Sequence, residues 1–224
     1  MGEFFSLMVE ILGGLGTTLW LFALTLAISI PLGFLGSQLS LSRKKSTRGI
    51  FGTYVYIMRG SPLLLQVLFL YFGIGLLFAT LNTQFGWQIK YPRELSALIS
   101  FVLNYTAYFS EIFRGGIQSI PRGQYEAASV LGLSKQVTMR RIVIPQVFKI
   151  VMPSLGNEVI NLVKDTALVS IIAISDITKI ANSAAMRMSN IAPFAVALLF
   201  YLAINAVVTL VLKKIENKMN YYRF

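Results

Sequence analysis

The sequence predicts an all-α membrane protein with five transmembrane helices, and three observations support this fold class. First, 55% of the 224 residues are hydrophobic, only 13% are charged, and the mean hydropathy is +0.68. Soluble domains carry about 25% charged residues. Second, a bilayer-spanning helix needs about 20 mostly apolar residues. Three stretches of sufficient length contain no charge, between Glu10 and Arg43, between Arg59 and Lys90, and between Arg187 and Lys213.

Third, the basic residues are concentrated in alternate connections between the apolar stretches. The three groups run from Arg43 to Arg48, from Arg114 to Lys149 and from Lys213 to Arg223. Cytoplasmic loops of membrane proteins carry an excess of Lys and Arg. The pattern therefore predicts an outer N-terminus and an inner C-terminus. Because the basic residues mark the cytoplasmic side of the membrane, the net charge of +11 does not indicate nucleic-acid binding.

The five spans are placed on the apolar stretches in chain order. Pro31 is expected to kink the end of span one, and Pro62 is expected to kink span two. Span four is the weakest, because it contains Glu158, Lys164 and Asp165. The approximate spans are Leu15–Leu35, Tyr54–Leu77, Leu95–Phe113, Val147–Ile174 and Pro193–Leu212.

The remaining segments are assigned by their position between the spans. Residues 114–145 are expected inside as a cytoplasmic coupling loop, and Ser175–Asn190 is expected outside. We find no internal repeat, linker or low-complexity tract, so residues 1–224 are predicted to form a single transmembrane domain.

Several kinds of chemistry are excluded by composition. The chain has no Cys and no His, which removes disulfides, thiol catalysis and the commonest metal ligands. It also lacks the Gly-x-x-x-x-Gly-Lys-Ser/Thr loop that binds nucleotide triphosphates. We therefore expect no catalytic residue, no metal site and no cofactor in this chain.

A short amphipathic helix is predicted inside the cytoplasmic loop. The chain before it carries the turn-forming residues Gly115, Gly116 and Pro121. Glu126 is expected near its N-terminus, where a carboxylate is favoured, and Gly132 is expected to end it in a sharp turn. The surface offered for docking consists of Tyr125, Glu126, Ala127, Ala128, Leu131 and Gly132.

The loop resembles the EAA loop of permease subunits in ATP-binding-cassette (ABC) importers. The resemblance rests on Glu126-Ala127-Ala128, then Gly132, then Ile142-Val143-Ile144-Pro145, although the family usually has Leu where this chain has Ile144. Further matches resemble the branch that imports polar amino acids. They are Arg59-Gly60-Ser61-Pro62-Leu63, Tyr105-Thr106-Ala107-Tyr108, Glu111 to Ile117, Gly123-Gln124 and Lys164-Asp165-Thr166-Ala167-Leu168.

This resemblance implies a type I importer fold and a set of partners. The partners are a separate ATPase that binds ATP and Mg, an extracytoplasmic solute-binding protein, and a second permease chain that is either identical or a sister. The implied substrate is a polar amino acid, and the implied location is the bacterial cytoplasmic (inner) membrane.

Candidate substrate-binding residues lie on spans two and four. At 100° per residue, Glu158, Asn161 and Asp165 fall within about 60° of arc, and Lys164 extends this arc to about 120°. Polar groups at membrane depth usually face a bundle interior or an aqueous cavity. A zwitterionic ligand needs both signs of charge, so we assign these four residues, with Ser61 and Gln66 of span two, to substrate binding. Structural ion pairing of Lys164 and Asp165 is the alternative.

Other functions remain open at this stage. A permease for methionine or an osmolyte is the nearest rival. An ion-driven secondary transporter normally needs more spans or an internal repeat, and a channel needs a selectivity filter. Neither feature is found in the sequence.

Overall fold

The computed structural model describes residues 2–88 and 91–219, with side chains from residue 4 onward, and the regular elements of the described part are all helices. Arg223 of the third basic group lies outside the described residues. The α-helices are α1 (Gly2–Leu12), α2 (Leu15–Ser40), α3 (Lys45–Gly60), α4 (Leu63–Phe85), α5 (Arg93–Gln118), α6 (Arg122–Val130), α7 (Lys135–Thr138), α8 (Ile144–Asp165), α9 (Ile177–Met188) and α10 (Ala192–Met219). A π-helical turn (Met139–Val143) precedes α8, and a 3₁₀ helix (Thr166–Ile172) follows it.

Three helical stretches are long and apolar enough to cross a membrane. They are Phe4–Ser40, Leu63–Phe85 and Ala192–Met219, which overlap predicted spans one, two and five. Helices α5 and α8, with 26 and 22 residues, overlap spans three and four. The all-α class is confirmed, whereas the count of five spans stays a prediction.

The prediction of one continuous span over Tyr54–Leu77 is wrong. Helix α3 ends at Gly60, Ser61 and Pro62 are extended, and α4 starts at Leu63. The physical reason is Pro62, which lacks an N–H and disfavours a helical conformation for Ser61. The side chain of Gln66 binds the polar groups that this break leaves free.

Helix α5 forms the centre of the main core. Its buried stripe repeats every four residues and consists of Ala97, Phe101, Tyr105, Phe109 and Phe113. This spacing places the side chains on one face of the helix. Helix α2 approaches α5 very closely, because a Cβ atom on Gly33 would lie 2.5 Å from the Cβ of Phe109. Glycine at this position therefore determines the distance between the two helices.

A second, smaller core joins the N-terminal helix to the last two helices. Leu7 and Ile11 of α1 pack with Ile177 of α9 and Val196 of α10. An ion pair between Glu10 and Arg187 reinforces this contact, with the Nη2–Oε2 distance at 2.7 Å. The segment that the sequence placed outside as Ser175–Asn190 thus contains a packed helix.

Asp176 caps α9 through its carboxylate, which accepts hydrogen bonds from the backbone N–H groups of Thr178 (3.2 Å) and Lys179 (2.8 Å). The Tyr201 hydroxyl donates a third hydrogen bond of 3.1 Å. Burial raises the pKa of the Asp176 carboxyl, and these hydrogen bonds oppose that rise. Gly14 lies against the same backbone, because a Cβ there would meet the Asp176 carbonyl carbon at 2.4 Å.

Candidate functional site

The break between α3 and α4 opens onto a polar cavity of about 580 Å³. Helices α5 and α8 form its other walls. The polar and aromatic side chains that line it are Arg59, Ser61, Asn104, Tyr105, Tyr108, Glu158, Asn161 and Asp165. The cavity therefore brings together four of the six predicted substrate-binding residues: Ser61, Glu158, Asn161 and Asp165.

Arg59 is the cationic group of this cavity. It lies in the last turn of α3, and its guanidinium carbon lies 5.2 Å from the centroid of the Tyr108 ring. One guanidinium nitrogen is 3.7 Å from a carboxylate oxygen of Glu111, a carboxylate that already binds Arg114 at 2.7 and 2.9 Å. Because Arg114 satisfies Glu111 with two short hydrogen bonds, Arg59 retains donors for a ligand.

The anionic side of the cavity is provided by α8. The Asp165 carboxylate, in the last turn of the helix, accepts a hydrogen bond of 2.7 Å from the Tyr105 hydroxyl. Glu158 lies two turns earlier on the same face and is half-buried. One cation on α3 and two carboxylates on α8 thus line the same cavity, which is large enough for a small ligand.

Gln66 does not line this cavity, although it was assigned to substrate binding. Its amide nitrogen donates to the Met58 carbonyl at 2.9 Å and to the Ser61 hydroxyl at 2.8 Å. Its amide oxygen accepts from Asn104 of α5 at 3.1 Å, and Asn104 also donates to the Met58 carbonyl. Gln66 therefore stabilises the break between α3 and α4 through hydrogen bonds outside the cavity.

Lys164 also lies outside the cavity lining. Its side chain is exposed, whereas its neighbour Asp165 is half-buried and points into the cavity. Consecutive residues on a helix are 100° apart, so only one of the two can face the α5 side. The cation that the sequence analysis assigned to Lys164 is supplied in the structure by Arg59.

Four residues of the cavity lining were not among the predicted substrate-binding residues: Arg59, Asn104, Tyr105 and Tyr108. A signal for Arg59 was present, because Arg59-Gly60-Ser61-Pro62 ends one helix and begins the next. Arginine in the last turn of a helix that stops at membrane depth is a candidate for an aqueous cavity. For the two tyrosines, the sequence pattern does not distinguish packing from cavity lining.

The cytoplasmic loop folds as a helix, a tight turn and a second short helix. Gly132 has φ +69°, the left-handed conformation expected at a helix C-terminus, and it lies in the turn after α6. Leu131 and Val130 expose 74% and 88% of their surface. Two adjacent, largely exposed apolar side chains at the end of a helix are suited to contact with another protein.

Two residues of α6 lie differently from the expectation. Glu126 is the fifth residue of a nine-residue helix that begins at Arg122, so it is not in the first turn. Ala128 is 1% exposed and packs inside its own chain, while Ala127 is exposed. Tyr125 borders a second cavity of about 550 Å³ between α6 and α7, and partial burial raises the pKa of its hydroxyl.

Among the side chains of residues 4–88 and 91–219, no group of three or more Asp or Glu residues is placed to hold a metal ion. The polar groups of the cavity are instead one guanidinium, two carboxylates, amides and hydroxyls. Such a set suits an organic zwitterion, and polar side chains that line a cavity inside a bundle of apolar helices are typical of membrane transport proteins.

Comparison with known proteins identifies the family within this class. The family model described as "Binding-protein-dependent transport system inner membrane component" matches residues 29–221. The chain therefore belongs to this family of ABC importer permeases.

Individual relatives agree with this assignment. The chain is 34% identical over 210 residues to the arginine transport system permease protein ArtQ of Bacillus subtilis (strain 168), covering 93% of this chain and 92% of the relative. It is 35% identical over 201 residues to the nopaline transport system permease protein NocM of Agrobacterium fabrum, covering 89% and 83%.

Solved structures show the same fold. A crystal structure of an amino acid ABC transporter with histidines contains a chain that superimposes with a TM-score of 0.80 at 31% identity, covering 93% of this chain and 94% of that one. A chain of the MetNI methionine transporter superimposes with a TM-score of 0.73 at 15% identity, covering 96% and 98%, and shows the fold alone. The type I importer permease fold is thereby confirmed.

Proposed function

We propose that this chain is the permease subunit of an ATP-driven importer of polar amino acids. The observation that carries the proposal is the cavity at the break between α3 and α4, where Arg59 faces Glu158 and Asp165. An amino acid carries a carboxylate and an ammonium group on one carbon. A cavity that carries charges of both signs can bind the carboxylate and the ammonium group. A cavity for a neutral osmolyte does not require such charges.

Each charged side chain has a role in this proposal. Arg59 binds the substrate carboxylate, because its planar guanidinium can donate two parallel hydrogen bonds. Glu158 and Asp165 accept hydrogen bonds from the ammonium group. Asn161 and Ser61 supply neutral hydrogen bonds, and Gln66 acts as a positioning residue through Ser61.

The names of the relatives indicate transport of amino acids and related compounds, and they differ in the compound named. They include permeases of arginine, nopaline, glutamine and L-cystine transport systems. All these compounds carry an α-carboxylate and an α-amino nitrogen. The proposed recognition uses only those shared groups, so it is compatible with each of the named compounds.

Energy is supplied by a separate ATPase that binds ATP and Mg. Tyr125, Glu126, Ala127, Leu131 and Gly132 form the coupling surface, and Ala128 supports it from inside. Exposed apolar side chains such as Val130 and Leu131 give this surface the area that a partner can cover. Motion of the ATPases is transmitted through α6 to produce alternating access of the cavity.

Two further partners complete the transporter. A second permease chain, identical or a sister, covers the exposed Lys164 at the C-terminal end of α8, because lipid cannot solvate its charge. A solute-binding protein delivers substrate from outside. The chain resides in the bacterial cytoplasmic membrane with its N-terminus outside and its C-terminus inside.

The test is a transport assay with the ATPase that is encoded beside this chain. The two proteins are co-expressed, purified and placed in proteoliposomes with the solute-binding protein, and ATP hydrolysis and uptake are measured with each polar amino acid. We expect uptake and hydrolysis to rise together for one class of amino acid. Uptake that persists without ATP and follows an ion gradient would contradict the proposal and favour a secondary transporter.

A further inference from the structure

A second polar groove lies between α8 and α10, far along the chain from the cavity residues of α3. Its volume is about 310 Å³. Its floor is apolar and its mouth carries Asn157, Thr209, Lys213 and Glu216. Gly156 of α8 faces Leu212 of α10, and a Cβ atom on Gly156 would make an ordinary contact of 3.7 Å with the Leu212 Cδ1.

The two charges at the mouth have no partner among the described residues. Lys213 and Glu216 lie one turn apart on α10, yet no oxygen of Glu216 lies within 4.0 Å of the Lys213 nitrogen, and neither side chain is hydrogen-bonded there. Asn157 likewise has no hydrogen-bond partner in that part of the chain. An ammonium, a carboxylate and an amide are thus all available to one external ligand.

The depth of the groove is set by the geometry of α10. Lys213 follows Ala192, the first residue of the helix, by a rise of about 31 Å at 1.5 Å per residue. The hydrocarbon core of a bilayer is about 30 Å thick. With Ala192 at the outer edge of the hydrocarbon core in the proposed orientation, Lys213 and Glu216 lie at the headgroup level of the inner leaflet, with Lys214 and Lys218 on the same turns.

The geometry points to a binding site for a phospholipid headgroup that carries both a phosphate and a primary ammonium group. The Lys213 ammonium donates to the phosphate oxygens. Glu216 and the Asn157 amide oxygen accept from the ligand ammonium. The first acyl-chain carbons lie on the floor formed by Met152, Ile160 and Leu212. Phosphatidylethanolamine has this chemistry, whereas phosphatidylcholine has no N–H donor and phosphatidylglycerol has no cation.

The site is tested by native mass spectrometry of the full chain, purified in mild detergent and exposed to a mixture of these three phospholipids. We expect the wild-type chain to retain phosphatidylethanolamine preferentially. Lys213→Ala and Glu216→Gln should each reduce that retention about five-fold, the scale of one lysine near a charged lipid surface. Lys214→Ala removes the same charge one residue away from the groove lining and serves as the matched control.

Three results would overturn the site. Equal retention in Lys213→Ala and Lys214→Ala would mean a general basic surface. A preference for phosphatidylglycerol that Glu216→Gln leaves unchanged would mean an anion site. Because the chain has no cysteine, Lys213→Cys also provides a single thiol, and its cross-linking to a second permease chain would mean that protein covers the groove. Each result is independent of the transport assay, so the two proposals fail separately.

Discussion

The Tyr105 hydroxyl donates a hydrogen bond of 2.7 Å to the Asp165 carboxylate, and this contact joins the centre of α5 to the last turn of α8. Tyr105 is only 2% exposed. Removal of the hydroxyl leaves a half-buried carboxylate without its donor, which costs about 1–3 kcal/mol. We expect Tyr105→Phe to lower the thermal unfolding midpoint of the purified chain. Tyr108→Phe is the control, because no hydrogen bond of its hydroxyl is formed within the described residues, and an equal loss in both variants would contradict the assignment.

Arg59 is expected to recognise the substrate carboxylate. Arg59→Gln should raise the substrate concentration needed for half-maximal ATPase stimulation roughly ten- to hundredfold, the scale of one lost charged hydrogen bond. The same variant should respond to the corresponding amine, which lacks the carboxylate, as the wild type does. A defect of equal size for both compounds would mean that Arg59 acts on structure through Glu111 rather than on the ligand.

Lys164 is expected to have little effect on substrate recognition. Its side chain is exposed and outside the cavity lining, in contrast to Asp165 beside it. Lys164→Ala should leave the rank order of stimulating amino acids unchanged, whereas Asp165→Asn should weaken stimulation by all of them. The measurement is ATP hydrolysis over a panel of amino acids, and a changed rank order in Lys164→Ala would restore its assignment to the substrate site.

The turn after α6 should be sensitive to the conformation of Gly132. At φ +69°, a residue with a Cβ costs about 1–2 kcal/mol, so Gly132→Ala should distort the coupling surface and reduce copurification of the ATPase. Gly123→Ala, in the first turn of α6, has no neighbouring atom within 4 Å and should be tolerated. Gly132→Asp should abolish transport while the chain remains in the membrane, and normal uptake in that variant would refute the docking surface.

Gly14 should be essential for the packing of α2 against the start of α9. A Cβ at Gly14 would lie 2.4 Å from both the carbonyl carbon of Asp176 and the backbone nitrogen of Ile177, and backbone atoms cannot rotate away. Gly14→Ala should therefore destabilise the chain by about 1–3 kcal/mol. Gly16→Ala meets no atom within 4 Å and should leave the unfolding midpoint nearly unchanged. Similar midpoints for the two variants would show that the helices can separate at little cost.

The sequence was sufficient for the fold class and for the face of α8 that carries Glu158, Asn161 and Asp165, because both follow from hydrophobic runs and helical spacing. It was not sufficient to choose between Lys164 and Asp165. Those residues lie 100° apart, and only the position of α5 decides which one faces the cavity. The proximity of Arg59 to Glu158 could not be predicted either, since their separation along the chain carries no information about their separation in space.

The break in span two illustrates a different limit. Pro62 was visible as a kink, yet whether a proline bends a helix or ends it depends on groups elsewhere that can bind the freed backbone. Here those groups are the amides of Gln66 and Asn104, which both donate to the Met58 carbonyl. Asn104 lies 46 residues away from Met58, so this stabilisation could not be read from local sequence.

The same amide network has a mechanical consequence. Gln66 joins α4 to the end of α3, Asn104 joins both to α5, and the Tyr54 hydroxyl adds a bond of 2.6 Å to the Leu103 carbonyl. To bend the chain at Ser61 would break several of these bonds at once, so α3, α4 and α5 form one rigid body. Helix α8 contributes the opposite wall of the cavity and packs on α5 through buried side chains such as Val147 and Val151, with the hydrogen bond from Tyr105 to Asp165 at the cavity itself. The discontinuity in span two is thus a corner that hydrogen bonds hold between α3, α4 and α5, and bending it requires several of them to break together.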